Sequence, residues 1–265
     1  MKKLFAIVLA TIMILGLCAC RKKIDEAGAK SIVVGYTDYA PMNFVKNGEL
    51  VGFDTELARA VFKNLGYDKV IFKEIEWSQR YTELDSGSID CIWNGFTCNT
   101  TDDDGVQRSA KVDFSYRYME NQQVVIAKKN SGITDAASLK DKIGTAEVGS
   151  AGEGMAKAFE GATYKGCTKQ TDCLLELTSG TADFAVLDVQ LARSYVGQGN
   201  YADLEIIEAM NGTLEYYAIG FKKNSDLTAK VNSELEKLAA DGTIAALGEK
   251  YGVSNSVILD FADQK

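Results

Sequence analysis

The chain has 265 residues, 37 acidic and 29 basic side chains, no histidine, and a formal net charge of −8. The acidic balance argues against sequence-independent nucleic-acid binding, which depends on neutralising phosphates with Lys and Arg. The absence of histidine excludes Ser-His-Asp and Cys-His catalysis, histidine metal ligation and histidine pH switching.

The first twenty residues have the pattern of a secretory signal peptide. Lys2 and Lys3 precede an apolar run over residues 4–17 that is too short to cross a bilayer comfortably, and small Ala19 lies just before Cys20. The sequence therefore predicts export and a signal peptide over residues 1–19. Removing this segment, which has no acidic residue, takes the formal net charge from −8 to −10.

Cys20 has the position of a lipidated cysteine. Leu17 and Ala19 precede it in a pattern that resembles a bacterial lipoprotein box, so we expect Cys20 to anchor the mature chain in the membrane and residues 20–30 to form a tether. The alternatives are an ordinary signal peptide, an uncleaved anchor helix, or lipidation of Cys18, which is disfavoured by bulky Leu17 before it. No later segment is long and apolar enough to cross a membrane.

From Ser31 onward, β-rich runs alternate with amphipathic helical patterns. Strands are predicted over 31–36, 70–75, 90–95, 124–129, 142–148, 183–188, 204–209 and 215–221. Helices are predicted over 54–65, 79–86, 152–160, 171–178, 189–196 and 226–240, with one more short helix after residue 243. This alternation predicts an α/β protein whose parallel strands are joined by crossover helices. Because no disordered linker is visible, two lobes would be joined by ordered strands near 120–125 and 209–216.

Four cysteines follow Cys20, and their spacing leaves the thiol state open. Without CxxC spacing, a zinc site or a thioredoxin-like motif is not predicted. In an exported protein two short disulfide loops are one expectation, and buried or free thiols are the other. The pairs in question are Cys91 with Cys98 and Cys167 with Cys173.

Seven segments carry a family pattern in the same order along nearly the whole mature chain. They are residues 33–44, 48–67, 89–97, 108–129, 139–153, 182–188 and 235–243. Together they resemble the bacterial extracellular solute-binding proteins of family 3, the amino-acid receptors of ABC importers.

The resemblance implies a two-lobed type II periplasmic-binding-protein-like fold. Each lobe would be a mostly parallel sheet flanked by helices, with two crossover strands as the hinge and the ligand in the cleft between the lobes. Lobe 1 is expected to be discontinuous, over residues 31–120 plus 214–265, and lobe 2 to be inserted over residues 121–213.

Two charged residues match the family positions that hold the ends of an amino acid. Arg108 begins RSAKVDFS, which matches the pattern R-x-x-x-V-D-F-S, and the resemblance makes it the bidentate partner of the ligand carboxylate. Asp188 ends the apolar run DFAVL, at the edge where open α/β sheets bind ligands, and matches the residue that takes the ammonium group. The alternatives are a solvated surface arginine and a helix N-cap, respectively.

The loop IDCIWNGFT supplies further candidates for the carboxylate site. Thr97 and the backbone of Gly95 match the family's carboxylate-binding loop, and Asn94 precedes it. The link from this loop to Arg108 is longer than the family pattern, over residues 98–107, so Thr100 or Thr101 could replace Thr97. The three acidic residues 102–104 within the link are expected to form a solvated turn, with a calcium site as the lesser alternative.

The second lobe's share of the carboxylate site is expected after Gly149. Ser150 and Ala151 begin a helix, where free backbone amides favour an anion. A tight strand-to-helix turn would need the glycine in any case.

Two aromatic residues match positions that contact the ligand. By resemblance Trp77 packs on the aliphatic part of the ligand and Tyr39 lies on the opposite side, although core packing is the usual fate of an isolated aromatic. The opening loop is one residue shorter than the pattern, so Tyr36 or Asp38 could also reach the pocket.

Glu147 occupies a position that is often glutamine in this family. A carboxylate facing the ligand side chain favours a polar, cystine-like or basic amino acid, since a buried charge without a partner is costly.

These features predict a monomeric, lipid-anchored amino-acid receptor on the outer side of the cell membrane. It would deliver its ligand to an ABC permease with a separate cytosolic ATPase, since the chain has no Walker motif, and it would need no cofactor or metal. One alternative is an enzyme on the same scaffold, dehydratase-like, with Glu147 as general acid or base. Another is a ligand-sensing module for a signalling partner.

Overall fold

A computed structural model describes residues 28–265. The predicted signal peptide, Cys20 and most of the tether lie outside the described residues. Within residues 28–265, none of the helices has the length and apolar character of a membrane span.

The described residues form strands and helices in alternation. Up to residue 121 these are β1 (Ser31–Tyr36), β2 (Phe44–Lys46), β3 (Glu49–Val51), α1 (Phe53–Asn64), β4 (Lys69–Glu74), α2 (Arg80–Asp85), β5 (Cys91–Ile92), α3 (Arg108–Lys111), β6 (Asp113–Phe114) and β7 (Met119–Asn121). They continue with β8 (Gln123–Lys128), β9 (Ile143–Glu147), α4 (Ala151–Ala158), β10 (Thr163–Cys167), α5 (Gln170–Ser179), β11 (Phe184–Asp188), α6 (Val189–Tyr195) and β12 (Leu204–Ile206). The last elements are β13 (Glu215–Tyr217), β14 (Gly220–Phe221), α7 (Leu227–Ala240) and α8 (Thr243–Tyr251).

Two five-stranded sheets organise the molecule, in the orders β4-β1-β5-β14-β6 and β10-β9-β11-β8-β12. We call the units built on them lobe 1 and lobe 2. In each sheet all strands but one run in the same direction; the exception is β14 in lobe 1 and β8 in lobe 2. The expected two-lobed fold with mostly parallel sheets is therefore confirmed.

The two reversed strands follow the segments that connect the lobes. Strand β8 comes directly after β7, and β14 follows β13, so each enters its sheet from the other lobe without a crossover helix. The connecting strands β7 and β13 pair with each other in antiparallel fashion, with Asn121 opposite Glu215 and Met119 opposite Tyr217. The crossover strands were predicted near residues 120–125 and 209–216, and this ladder over residues 119–121 and 215–217 lies close to both.

The core of lobe 1 follows the helical spacing seen in the sequence. The apolar face of α1 is completely buried and includes Phe53, Leu57, Val61 and Phe62. This helix packs against α7 and α8. Burying one such side chain contributes roughly 1.5–3 kcal/mol, so this face is a main source of lobe 1 stability.

Among the differences between the predicted and the observed elements, one is a missed strand and another is a predicted strand that is divided in two. Residues 163–167 form β10, which the sequence pattern missed because this edge strand buries only Cys167 and therefore has no apolar run. Residues 215–221, predicted as one strand, form β13 and then β14 because the chain passes from the interlobe ladder into the lobe 1 sheet.

Candidate functional site

The lobes meet where the ends of β9 and β11 face the loop after β5 and the start of α3. The carbonyl oxygen of Gly149 in lobe 2 accepts hydrogen bonds from two lobe 1 side chains, the Trp77 indole Nε1 at 3.2 Å and Arg108 Nη2 at 3.0 Å. A Cβ at Gly149, whose φ is +79°, would lie 2.8 Å from Arg80 Nη1. The predicted residues Trp77 and Arg108 therefore lie in a closed interface between the lobes.

Arg108 is almost fully buried, with 1% of its surface exposed. Besides Gly149, it donates from Nη1 to the Thr97 carbonyl at 3.0 Å and from Nε to Asp102 Oδ1 at 2.8 Å. A guanidinium has five N–H groups, so two remain for a further acceptor. The alternative of a solvated surface arginine does not hold, and contacts from both lobes fix the guanidinium group.

Arg108 and Arg80 form the cationic end of the site, and Asp102 is their common counterion. Its Oδ1 accepts from Arg80 at 2.7 Å as well as from Arg108, and its Oδ2 accepts from Tyr81 at 2.7 Å and Lys111 at 2.9 Å. Burial by itself would raise the pKa of Asp102, but these donors outweigh it and hold that pKa at about 2.

The predicted solvated turn over residues 102–104 is therefore wrong for Asp102. The chain does turn there, with Gly105 N–H donating to the Asp102 carbonyl at 2.8 Å. The side chains of Asp103 and Asp104 are about half exposed, at 51% and 55%. The Asp102 carboxylate already has four donors and is not available to calcium.

Arg80 was not singled out by the sequence, because no family pattern marks it. It begins α2, is 3% exposed, and donates from Nη1 to the Trp77 carbonyl at 2.9 Å. Its guanidinium carbon lies 4.9 Å from the Trp77 ring centroid and 4.4 Å from that of Tyr81. Its Nε–H is buried without a partner. The site therefore has two arginines and a single aspartate at this end.

The loop after β5 is fixed by contacts within lobe 1. Gly95 N–H donates to Asp54 Oδ2 at 2.8 Å, and Gly95 has a φ of +57°. The Asn94 side chain is paired with Thr37, donating to its hydroxyl at 2.6 Å and accepting from its N–H at 2.9 Å. Asn94 and the Gly95 N–H thus hold the loop in place, and this N–H is already used within lobe 1.

Thr97 joins the cationic end of the site to an anionic end. Its carbonyl accepts from Arg108, while its hydroxyl donates to Glu215 Oε2 at 3.1 Å. Thr97 also forms an isolated β-bridge with Tyr217. Thr100 and Thr101, the alternatives to Thr97, line a neighbouring cavity of about 620 Å³ between the lobes, next to Ala151.

Asp188 and Glu215 form the anionic end. Asn121 Nδ2 donates to both carboxylates, at 2.6 and 3.0 Å, and Gln123 Nε2 does the same at 2.6 and 2.8 Å. The second Asp188 oxygen accepts from Gln170. Asp188 precedes α6 in the N-cap position but makes no side-chain capping bond.

Burial is the main cause that raises the pKa of both carboxyl groups. For Asp188 burial outweighs the amide hydrogen bonds, and for Glu215 the charge of Asp188 adds to burial. Glu215 lies on β13, far from the family pattern in the sequence, and its partners become neighbours only through the antiparallel ladder. The sequence contained no signal for this pair.

Glu147 ends β9 and is the third carboxyl group between the lobes. It is 3% exposed, and its Oε1 has no hydrogen-bond partner. Burial, reinforced by the charge of Asp188, raises its pKa well above the ordinary value, and Arg80 opposes this shift. A buried carboxyl group without a partner is costly, so its environment is suited to a donor or cation that the protein does not supply.

Ser150 and Ala151 lie at the start of α4, facing the first lobe. Ser150 caps this helix, with its hydroxyl accepting from Glu153 N–H at 3.1 Å. Glu153 also accepts from Gly149 N–H at 2.6 Å, which fixes the turn between β9 and α4.

The aromatic candidates are both buried. Tyr39 shares a 2.5 Å hydrogen bond between hydroxyls with Tyr217, which in turn contacts Asp188. Trp77 packs edge-on against Phe96, with 5.1 Å between ring centroids, while its N–H reaches Gly149. Trp77 therefore packs in the core of lobe 1 and also contacts lobe 2.

Known proteins similar to this chain are amino-acid-binding proteins. ArtP of Bacillus subtilis (strain 168), an arginine-binding extracellular protein, is 28% identical over 257 residues, which covers 95% of this chain and 98% of that protein. The L-cystine-binding protein TcyJ of Escherichia coli (strain K12) is 28% identical over 244 residues, covering 86% and 84% of the two chains.

Solved structures share the fold at higher identity. An ancestral arginine-binding protein bound to arginine is 35% identical with a TM-score of 0.75, covering 83% of this chain and 97% of its own. The arginine-, lysine-, histidine-binding protein ArtJ from Geobacillus stearothermophilus is 31% identical with a TM-score of 0.74, covering 84% and 95%. Since the family's sequence profile also matches residues 32–254, across both lobes, this chain belongs to the bacterial extracellular solute-binding proteins, family 3.

Proposed function

We propose that the protein is an extracytoplasmic receptor for a free amino acid with a cationic side chain, which it delivers to an ABC-type importer. The observation that carries this proposal is the buried Glu147 carboxyl group, with an oxygen that no group within residues 28–265 satisfies, between a two-arginine end and a two-carboxylate end. An amino acid with a basic side chain has the complementary charges.

The ligand carboxylate would bind at the cationic end. Arg108 has two N–H groups without an acceptor, and the buried Nε–H of Arg80 is a further donor. The start of α4 at Ser150 and Ala151 adds the positive end of a helix from the second lobe. Because both lobes contribute donors, binding of the carboxylate would favour closure.

The ligand ammonium would bind at Asp188 and Glu215. In the structure, amide groups of Asn121 and Gln123 are shared between these two carboxylates. An ammonium group offers three charged donors and would lower the pKa of both carboxyl groups. Tyr39, linked to Asp188 through Tyr217, would border this end.

The ligand side chain would reach Glu147. A guanidinium or ammonium group there supplies the partner that the carboxyl group lacks, and a charge-assisted hydrogen bond contributes about 1.5–3 kcal/mol. Two of the similar proteins are described as arginine-binding, which agrees with this chemistry. Trp77 offers an aromatic face for the aliphatic part of such a side chain.

The remaining features of the proposal concern location and motion. We infer a lipid anchor at Cys20, a monomeric soluble part, and lobes over residues 31–120 plus 214–265 and 121–213. The sequence pattern before Cys20, the family's extracellular description and the ladder of β7 with β13 between the sheets support these inferences. The similar proteins described above are binding proteins, and we propose no reaction at Glu147.

A ligand panel tests the proposal. Thermal unfolding of the protein, freed of co-purified ligand, is measured with each natural amino acid and with ornithine, cystine and agmatine, since a ligand that binds only the folded state raises its melting temperature. We expect the largest shifts with arginine, lysine or ornithine and none with agmatine, which lacks the carboxylate. A largest shift with cystine or with an acidic amino acid would contradict the assignment of Glu147.

A further inference from the structure

Two of the cysteines lie side by side at the start of α5. Cys167 ends β10, and Cys173 lies in the first turn of α5. The hydroxyl of Thr145 contacts both sulfur atoms, at 2.8 Å from Cys167 Sγ and 3.8 Å from Cys173 Sγ. Both thiols are free in the structure, and Cys173 Sγ donates to the Lys169 carbonyl at 3.6 Å.

The other two described cysteines are not arranged as a pair. Cys91 is completely buried in the core of lobe 1. Cys98 lies on the next loop, where its N–H donates to the Tyr216 carbonyl at 2.9 Å. Among the described residues, no contact joins these two sulfur atoms. Of the two pairings that the sequence left open, the structure therefore favours Cys167 with Cys173.

Cys167 is the more reactive member of the pair. It is 7% exposed and borders a cavity of about 430 Å³ on the surface of lobe 2, together with Thr168, Asp172 and Leu175. Its interactions with Cys173 and Thr145 outweigh burial and lower the pKa of Cys167 to about 7. Its place just before the N-terminus of α5 also favours a thiolate. Cys173 is buried behind it.

We propose that Cys167 and Cys173 form a disulfide in the exported protein, and that this bond clamps the turn between β10 and α5. The Cys167 thiolate attacks the disulfide of an extracytoplasmic oxidant, either a disulfide-bearing oxidoreductase or a small-molecule disulfide, and releases one thiol. The Cys173 thiol, losing its proton, then attacks Cys167 Sγ and releases the second thiol. Two protein thiols are oxidised and one external disulfide is reduced.

The clamped turn carries two residues that reach the interlobe site. Lys169 Nζ forms a 2.6 Å ion pair with Glu74 of lobe 1, and Gln170 donates to Asp188. Restricting this segment keeps both side chains in place, so the disulfide would favour the closed, ligand-ready arrangement. This consequence rests on the proposed function, whereas formation of the bond does not.

Thiol mapping of the exported full-length chain tests the bond itself. The protein is alkylated under denaturing conditions without reduction and digested with trypsin, which cleaves after Lys165, Lys169 and Arg193. We expect peptides 166–169 and 170–193 to appear joined, with the loss of two hydrogens, while Cys91 and Cys98 are alkylated. Alkylation of both Cys167 and Cys173, or a cross-link to another cysteine, would overturn the proposal.

Thermal unfolding with and without reductant tests the clamp without any ligand. Reduction should lower the melting temperature of the natural protein by about 5 °C, from the entropy of a small closed loop in a chain of this size. The double variant Cys167→Ser/Cys173→Ser should show no shift on reduction, and the control Cys98→Ser should behave like the natural protein. A shift that persists in the double variant would contradict the clamp. Failure of the ligand panel would leave both readouts unaffected.

Discussion

Arg108 and Asp102 form a buried salt bridge, 2.8 Å from Nε to Oδ1. Asp102 belongs to residues 98–107, the stretch that is longer here than in the family pattern. The extra length places a carboxylate from lobe 1 between two arginines, so the proposed carboxylate site is organised before any ligand arrives. Pre-organisation of this kind lowers the cost of ordering the site on binding.

Asp102→Asn should destabilise the protein and weaken ligand binding. Arg80, Arg108 and Lys111 would then face one another without their common counterion. Removing one partner of a buried ion pair costs about 3–5 kcal/mol, so the free energy of unfolding should fall by about that amount. Unfolding in denaturant measures this change. Asp104→Asn is the matched control, because its carboxylate also pairs with Lys111 but is half exposed, and it should change little. Equal effects of the two variants would contradict the role of Asp102.

Binding of a cationic amino acid should release protons. Burial raises the pKa of Glu147 well above its ordinary value, and an adjacent cation would lower that pKa and favour the carboxylate. Calorimetry of arginine binding at a series of pH values, in buffers with different heats of ionisation, measures the protons released.

Glu147→Gln should reduce this proton release and weaken arginine binding by roughly tenfold to one hundredfold. Glu234→Gln, a change at another buried glutamate on α7 outside the interlobe site, should leave both quantities unchanged. If Glu147→Gln keeps the full proton release, the released proton belongs to another group.

Asp54 should make stability fall as the pH rises from about 4 to 7. This carboxyl group holds the Gly95 loop and is completely buried, which raises its pKa to about 7 although Gly95 N–H and the Tyr118 hydroxyl donate to it. In this range the folded state binds more protons than the unfolded state, so the free energy of unfolding falls by up to about 1.4 kcal/mol per pH unit.

Asp54→Asn tests this dependence because it keeps the shape and removes the titration. Denaturant unfolding of both proteins between pH 4 and 7 gives the difference in their free energies of unfolding. As the pH rises, the free energy of unfolding of the variant should increase steadily relative to that of the natural protein. A difference that is independent of pH would show that Asp54 does not titrate in this range.

Two exposed ion pairs across the cleft should slow ligand release. Asp103 pairs with Lys157 at 2.5 Å and Glu74 with Lys169 at 2.6 Å, each joining lobe 1 to lobe 2. Exposed pairs contribute little, so Asp103→Asn should accelerate dissociation of arginine by roughly two- to fivefold at low salt, and less at high salt. Stopped-flow dissociation measures this rate.

Glu83→Gln is the control for the interlobe pairs. It breaks the exposed Lys73–Glu83 pair, which lies entirely within lobe 1, so dissociation should keep its natural rate. Equal acceleration by both variants would show that charge in general, and not the interlobe contact, controls release.

Much of the fold could be predicted because its strands and helices have regular apolar patterns. The apolar face of α1 repeats at the helical period, and the run that ends at Asp188 is buried at every position, as in a strand covered on both faces. Strand β10 was missed because an edge strand has no such period. Residues marked by the family pattern, among them Arg108, Trp77 and Asp188, lie between the lobes, and their contacts with ligand stay predictions.

The parts of the site that escaped sequence reasoning depend on contacts between distant residues. Glu215 meets Asp188 only because β13 pairs with β7, and no local pattern marks that pairing. Asp102 looks like a turn residue in the sequence, since only the fold reveals that its side chain points at two buried arginines. Arg80 likewise belongs to the site because its side chain forms an ion pair with Asp102.

A cationic ligand at Glu147 is tested most directly by calorimetric titration of the ligand-free protein with L-arginine and with L-citrulline, its neutral counterpart of nearly the same shape. The two differ in the charge at the group that would face Glu147. We expect arginine to bind at least about tenfold more tightly, since a charge-assisted hydrogen bond is lost with citrulline. Equal affinity, or tighter binding of citrulline, would contradict a cationic ligand at Glu147.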